Sequence, residues 1–190
     1  MHLPLYHLPP VSWFASVWSR DRLVVEACEH YQKGSFRNRC HIAGPNGVQR
    51  LSIPLKKGKH NQMPIREVRI AYDEPWQVRH WRSIRTAYGN APFFEHYADD
   101  LAPYYEKRHT FLFDLNLELL RLILQQKLGW QGEIALSTSY IPAELPDTLP
   151  LRYPQVFEDK HGFLPDLSIL DLLFCCGKNG RDLFKSGLDP

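Results

Sequence analysis

Residues 28–42 read CEHYQKGSFRNRCHI and gather Glu29, His30, Tyr31, Lys33, Arg37, Asn38 and Arg39 within eleven positions, just after the apolar run Leu23-Val24-Val25. A carboxylate, a phenol and an ammonium beyond the end of a buried strand suit a polar substrate, with Glu29 placed to move a proton and Tyr31 and Lys33 to support it. Arg37 and Arg39 alternate, so in an extended chain both guanidinium groups share one face and Asn38 takes the other. Such forks match carboxylate and phosphate oxygens. An ordinary strand-end salt bridge from Glu29 to Lys33 or Arg37 would use the same residues and contribute little on a surface.

Two further segments carry chemistry. YHLPPVSWF (6–14) puts His7 between a strand and a helix, in the loop where open α/β sheets take ligands, as an acid, a base or a phosphate contact. Trp13 in the same segment is a candidate substrate contact, although the helical period also turns it inward. LKKGKHNQ (55–62) brings Lys56, Lys57, Lys59 and His60 to a glycine-containing loop, an anion-binding composition without the spacing of a named phosphate cradle. The motifs of P-loop, dinucleotide-binding, nucleophile-elbow and H-E-x-x-H enzymes are absent. No cofactor and no metal site can be read from the chain.

Charge supports an anionic partner. Residues 31–85 hold twelve Lys/Arg against three acids, a balance of +9, whereas the rest holds eleven against eighteen, a balance of −7. One electropositive surface is the expected result. Cys28 and Cys40 stand apart and Cys175 and Cys176 are adjacent, so neither a disulfide framework nor a zinc site is expected. MHLPLYHLPP has no signal-type apolar stretch, and no run approaches the roughly 18 apolar residues of a membrane span. The expectation is a cytoplasmic protein.

The elements that must position these residues come from periodicity. MHLPLY and RLVVEA read as buried strands joined by a helix over 11–20. NRCHIA and VQRLSIPL flank Gly44-Pro45-Asn46-Gly47 and read as a hairpin. REVRIA alternates as a further strand. Asp73 caps a helix over 74–88, and a second helix around 91–107 is interrupted near Pro103. Thr110 caps a long amphipathic helix to Leu128, stopped by Gly129, and GEIALSTS is a last strand. Five prolines within 141–166 predict a loop without regular structure before an apolar tail helix that docks on the fold. The class is α/β or α+β, a small mixed sheet with strands mainly in the N-terminal half and helices packed on it, in one domain over 1–190.

The chain resembles the WbqC-like protein family of bacteria. The likeness rests on YHLPPVSWF, EHYQKGSFRNRCHI, VQRLSIPLKKG, AYGNAPFFEHY, FDLN and the tail YPQVFEDKHGFLPDLSILDLLF, in order. Many members read Gln-Pro before the aromatic; Leu3-Pro4 stands here, and any role of that glutamine is missing. The family's name comes from surface-polysaccharide (O-antigen) gene clusters, so the resemblance implies a role in glycan assembly.

Together these readings favour a transferase-type enzyme holding a nucleotide-sugar, phosphorylated or carrier-bound substrate. Arg37, Arg39, Lys56 and Lys57 would bind the anion, Asn38 would orient a polar group, and His7 and Glu29 would transfer protons. The alternative is a non-catalytic module whose basic face binds nucleic acid or an acidic protein. The lack of a nucleic-acid motif and the acids outside 31–85 favour the small anion.

Overall fold

Leu23 and Val25 are fully buried in strand β2 (Arg22–Glu26), the centre of a three-stranded parallel sheet. Strand β1 (His2–Pro4) pairs on one side, with His2 opposite Val24 and Pro4 opposite Glu26; β5 (Glu133–Leu136) pairs on the other, with Leu23 opposite Ile134. Helix α1 (Val11–Trp18) connects β1 to β2 and buries Trp13, Phe14 and Val17, as its apolar period requires. Because all three strands run the same way, the segments after β1, β2 and β5 leave from one edge.

The hairpin forms as expected: β3 (Arg39–Gly44) and β4 (Gly47–Ser52) pair antiparallel, Gly44 opposite Gly47. Gly47 takes φ +98°, which a side chain would disfavour. The fold is therefore mixed α/β; among the described residues, parallel and antiparallel pairs are divided between two small sheets and four of the five strands lie before residue 53. The computed structural model describes residues 1–58, 63–143 and 150–186.

Several elements differ in detail from their sequence reading. Residues 66–71 do not form a strand: Ile65–Glu67 is a 3-10 turn, and Arg69 and Ile70 make single bridges to Phe111 and Leu55. The segment passes between two short stretches, donating from Ile70 to Thr110 and from Ala71 to Pro54, and neither neighbour runs long enough for a ladder. Helix α2 (Trp76–Tyr88) starts after Pro75, without a side-chain cap from Asp73. Helix α3 (Phe94–Glu106) runs through Pro103, because a proline in the exposed last turn sacrifices only one backbone bond. Helix α4 (Leu112–Arg121) begins after Phe111, without a cap from Thr110, and continues as a π-helical turn over Leu122–Lys127 before Gly129 at φ +79°.

Among the described residues of the proline-rich stretch one helical turn forms, α5 (Glu158–His161). The tail docks as predicted: α6 (Ile169–Cys176) buries Ile169 to Phe174 completely, and α7 (Leu183–Ser186) sets Phe184 against Trp18, ring centroids 5.4 Å apart. Ser168 caps α6, its hydroxyl donates to the Leu8 carbonyl, and its N–H donates to the His41 carbonyl. One hydrophobic core runs from Leu3 to Phe184. No helix among the described residues is long and apolar enough to cross a membrane.

Candidate functional site

The strand ends build a cleft. The chain leaving β2 supplies Glu29, His30, Tyr31, Gln32 and Lys33, the chain leaving β5 supplies Tyr140, and these six line a cavity of about 430 Å³. His30 bridges Pro64, Tyr31 N–H donates to the Met63 carbonyl, and Ile65 N–H donates to the Glu29 carbonyl. The chain returning from the lysine loop is thus stitched to the wall of the cleft.

Glu29 and Arg37 form a buried ion pair, each 4% exposed. Both carboxylate oxygens accept from the guanidinium, Oε1 from Nε at 2.7 Å and Oε2 from Nη2, while Nη1 donates to Gln32 Oε1 at 3.3 Å. The Tyr6 ring lies 5.7 Å from the guanidinium carbon. Arg37 is therefore occupied internally, and the salt-bridge reading of the sequence is the geometry found, in the interior rather than on a surface. The alternation argument fails because Phe36–Asn38 is a 3-10 turn, so Arg37 and Arg39 do not lie along one strand.

His7 lies behind this pair and does not line the cleft; it is 1% exposed. Its Nδ1 is 3.0 Å from Asn116 Oδ1, and Asn116 Nδ2 donates to the Arg37 carbonyl at 2.8 Å. That second bond fixes the amide, so His7 Nδ1 donates and Nε2 keeps a lone pair, buried without a partner. Burial, with His80 nearby, lowers the His7 pKa to about 3 against the opposing Asn116 bond. The ring is a neutral base at neutral pH.

Tyr31 is 3% exposed, and burial raises its phenol pKa against the opposing charges of Arg39 and then Arg37. Arg39 is half-buried, its Nε unpartnered. Both arginines thus act on Tyr31, by a different route from the one their spacing suggested. Asn38 is buried and extends the hairpin: its Nδ2 donates to the Ile53 carbonyl at 2.9 Å and its own carbonyl accepts from Ile53 N–H at 2.8 Å. Trp13 is wholly buried, with its indole N–H on the Pro4 carbonyl at 3.1 Å and Phe14 edge-on at 5.2 Å. It serves the core rather than the cleft. Lys33 is exposed at the mouth; Lys56 and Lys57 are exposed without salt bridges among the described residues and do not line the cavity. Lys59 and His60 lie outside the described residues.

Sequence reasoning missed Asn116, Glu26 and Tyr140. Glu26, at the end of β2, is completely buried; Oε1 accepts from Cys28 N–H at 2.6 Å and the Ser137 hydroxyl at 2.7 Å, and Oε2 from Ile141 N–H at 3.2 Å, with His2 Nε2 2.9 Å away. Burial alone would raise its pKa, but the Ser137, Cys28 and Ile141 hydrogen bonds and His2 together lower it. This carboxylate straps the chain after β5 to the chain after β2 and so places Tyr140. Glu26 ending the apolar run Leu23-Val24-Val25, and Asn116 among the leucines of α4, were the available signals. Among the described residues, no group of three His, Cys, Asp or Glu is arranged to hold a metal ion.

The model of the WbqC-like protein family matches residues 5–149, three quarters of the chain. The chain belongs to the WbqC-like protein family. A relative along nearly its full length is the Uncharacterized protein Rv1507c of Mycobacterium tuberculosis (strain ATCC 25618 / H37Rv), 29% identical over an alignment of 219 positions, gaps included, that spans 94% of each chain. No solved structure matches significantly. The family match spans the cleft residues 29–33 together with Glu26, Asn116 and Tyr140, and stops before α6.

Proposed function

We propose that this WbqC-like protein is a transferase-type enzyme of bacterial surface-glycan biosynthesis, acting on a nucleotide-sugar, phosphorylated or carrier-bound substrate. The observation that carries the reading is the cleft at the carboxyl edge of the parallel sheet, where open α/β folds bind ligands, walled by Glu29, Tyr31, Lys33 and Tyr140. Lys33 and Arg39 hold the anionic part, with Lys56 and Lys57 drawing it in by charge. Tyr31, in the field of both Arg39 and Arg37, is the acid lining the cleft. Glu29 fixes Arg37, and the Arg37 carbonyl, through Asn116, fixes His7 behind the cleft. Asn38 anchors the start of the hairpin that carries Arg39, and Trp13 packs in the core beneath β1.

A thermal-shift series against nucleotides, nucleotide-sugars, coenzyme A, inorganic phosphate and short DNA and RNA tests the reading. A ligand at about 100 times its Kd adds roughly 2.7 kcal/mol, several degrees in midpoint. The expected result is a selective shift with one small donor class, lost in Lys33→Ala. Binding of any polyanion, falling log-linearly with salt and unaffected by small anions, overturns it in favour of the binding module.

A further inference from the structure

A second cavity, of about 920 Å³, lies between α2 and α3 and has more than twice the volume of the Glu29 cleft. Its apolar lining is Val78 and Trp81 from α2, Phe94 and Tyr105 from α3, and Val156 and Phe157 from the chain entering α5. Trp81 stacks on Tyr105, ring centroids 5.3 Å apart at 24°, and tilts against Phe94 at 6.1 Å, so the floor is aromatic and held in place. A groove of this volume takes a whole organic molecule.

Two cations share the groove with this floor. Arg82 and Arg85 line it, are exposed, and stand three positions apart on α2, where side chains are neighbours on one face. Among the described residues neither has an ion pair or a hydrogen bond, whereas Arg79, the preceding member of the same row, is paired with Glu74. The helix offers the two no acid: the other residues three and four positions away are Val78, Arg79, Trp81, Thr86, Tyr88 and Gly89. Like charges so placed repel, and nothing within α2 offsets that. Glu95 and Glu106 also line the cavity, but they are set about 16 Å apart along α3 and cannot converge on one group. The two guanidinium groups can, and their forks match phosphate oxygens. A phosphate monoester, with nearly two negative charges at neutral pH, balances the pair better than a carboxylate with one.

We propose that the α2–α3 groove is a binding site for an organic phosphate monoester, its phosphate held by Arg82 and Arg85 and its apolar body laid on the floor around Trp81. The body can be an aliphatic chain or an aromatic ring, since both pack on such a floor. The groove shares no lining residue with the Glu29 cleft and stands or falls independently of the function proposed there.

Isothermal titration calorimetry of the full chain with octyl phosphate, benzyl phosphate, inorganic phosphate and 1-octanol provides the test. The expected result is saturable binding of an organic phosphate, about 10-fold or more tighter than that of inorganic phosphate, which lacks the body, or of 1-octanol, which lacks the charge. Tighter binding of octyl phosphate assigns the body to an aliphatic chain; tighter binding of benzyl phosphate assigns it to a ring. Arg82→Ala and Arg85→Ala should each weaken the binding about 10-fold, and any thermal shift that depends on Lys33 should be the same in Arg82→Ala as in the parent. Both arginines are exposed, so their removal should leave the fold intact; should a variant fail to fold, the comparison of the four probes on the unaltered chain decides. Equal affinity for inorganic phosphate or 1-octanol, no saturable binding of any probe, undiminished affinity in both folded variants, or loss of a Lys33-dependent shift in folded Arg82→Ala overturns the proposal.

Discussion

At the scale of single residues, the Glu29–Arg37 pair governs how the cleft tolerates change. Removing one partner of a buried ion pair strands the other charge, so Glu29→Gln should cost about 3–5 kcal/mol, whereas Glu29→Gln with Arg37→Met should recover much of the loss. Urea denaturation of both variants checks this, and equal losses would show that the pair is not coupled. His7 and His80 set the acid limit. Their folded pKa values, about 3 and about 4, lie below the unfolded value near 6.5, so below that pH the unfolded chain takes up protons that the folded chain refuses. Stability should therefore fall from pH 6.5 downward, by about 1.4 kcal/mol per pH unit for each histidine, until pH 4 for His80 and pH 3 for His7. In denaturation series at pH 6.5 and pH 5, His80→Gln should show the smaller decline; an unchanged slope would contradict its buried neutrality. Residue types near Glu29 were legible in the sequence because strand ends expose polar clusters. The inward turn of Arg37 was not, because a 3-10 turn over 36–38 leaves no periodic signal.

At the scale of elements, the parallel sheet does the positioning, and most of it could be read from apolar runs: β1, β2, β5 and the hairpin all stand where alternation or burial put them. Residues 66–71 show where that reasoning stops, since alternation reports two faces and says nothing of whether a neighbour is long enough to pair. Beyond the β2–β5 ladder, the chain leaving β2 is tied to the chain leaving β5 by Glu26, which joins segments more than 100 residues apart. Glu26→Gln presents an amide to Ser137 and two backbone N–H donors, and at least one donor loses its acceptor. The expected cost is about 1.5–3 kcal/mol, together with faster protease cleavage near Tyr140. Limited proteolysis with mapped termini reads the second effect, and cleavage there no faster than in the parent would mean that other contacts hold the strap.

At the scale of the whole molecule, the question is whether the tail is an appendage or part of the fold. The family match ends at residue 149, which taken alone would permit an appendage. Packing argues otherwise: α6 buries Ile169, Leu170, Leu172, Leu173 and Phe174 completely, and Ser168 ties its start to both Leu8 and His41, on the loop carrying His7 and on the hairpin. Each such side chain contributes about 1.5–3 kcal/mol on burial, and five of them together rival the roughly 5–15 kcal/mol by which a domain is stable. We propose on this ground that residues 1–190 fold as one unit. A chain ending at Asp166 should then lack a cooperative thermal transition by circular dichroism, while the full chain melts in one step. A truncated chain that still melted cooperatively would place the stability in the two sheets and α1–α4, and would make α6 a cover laid over a core already formed.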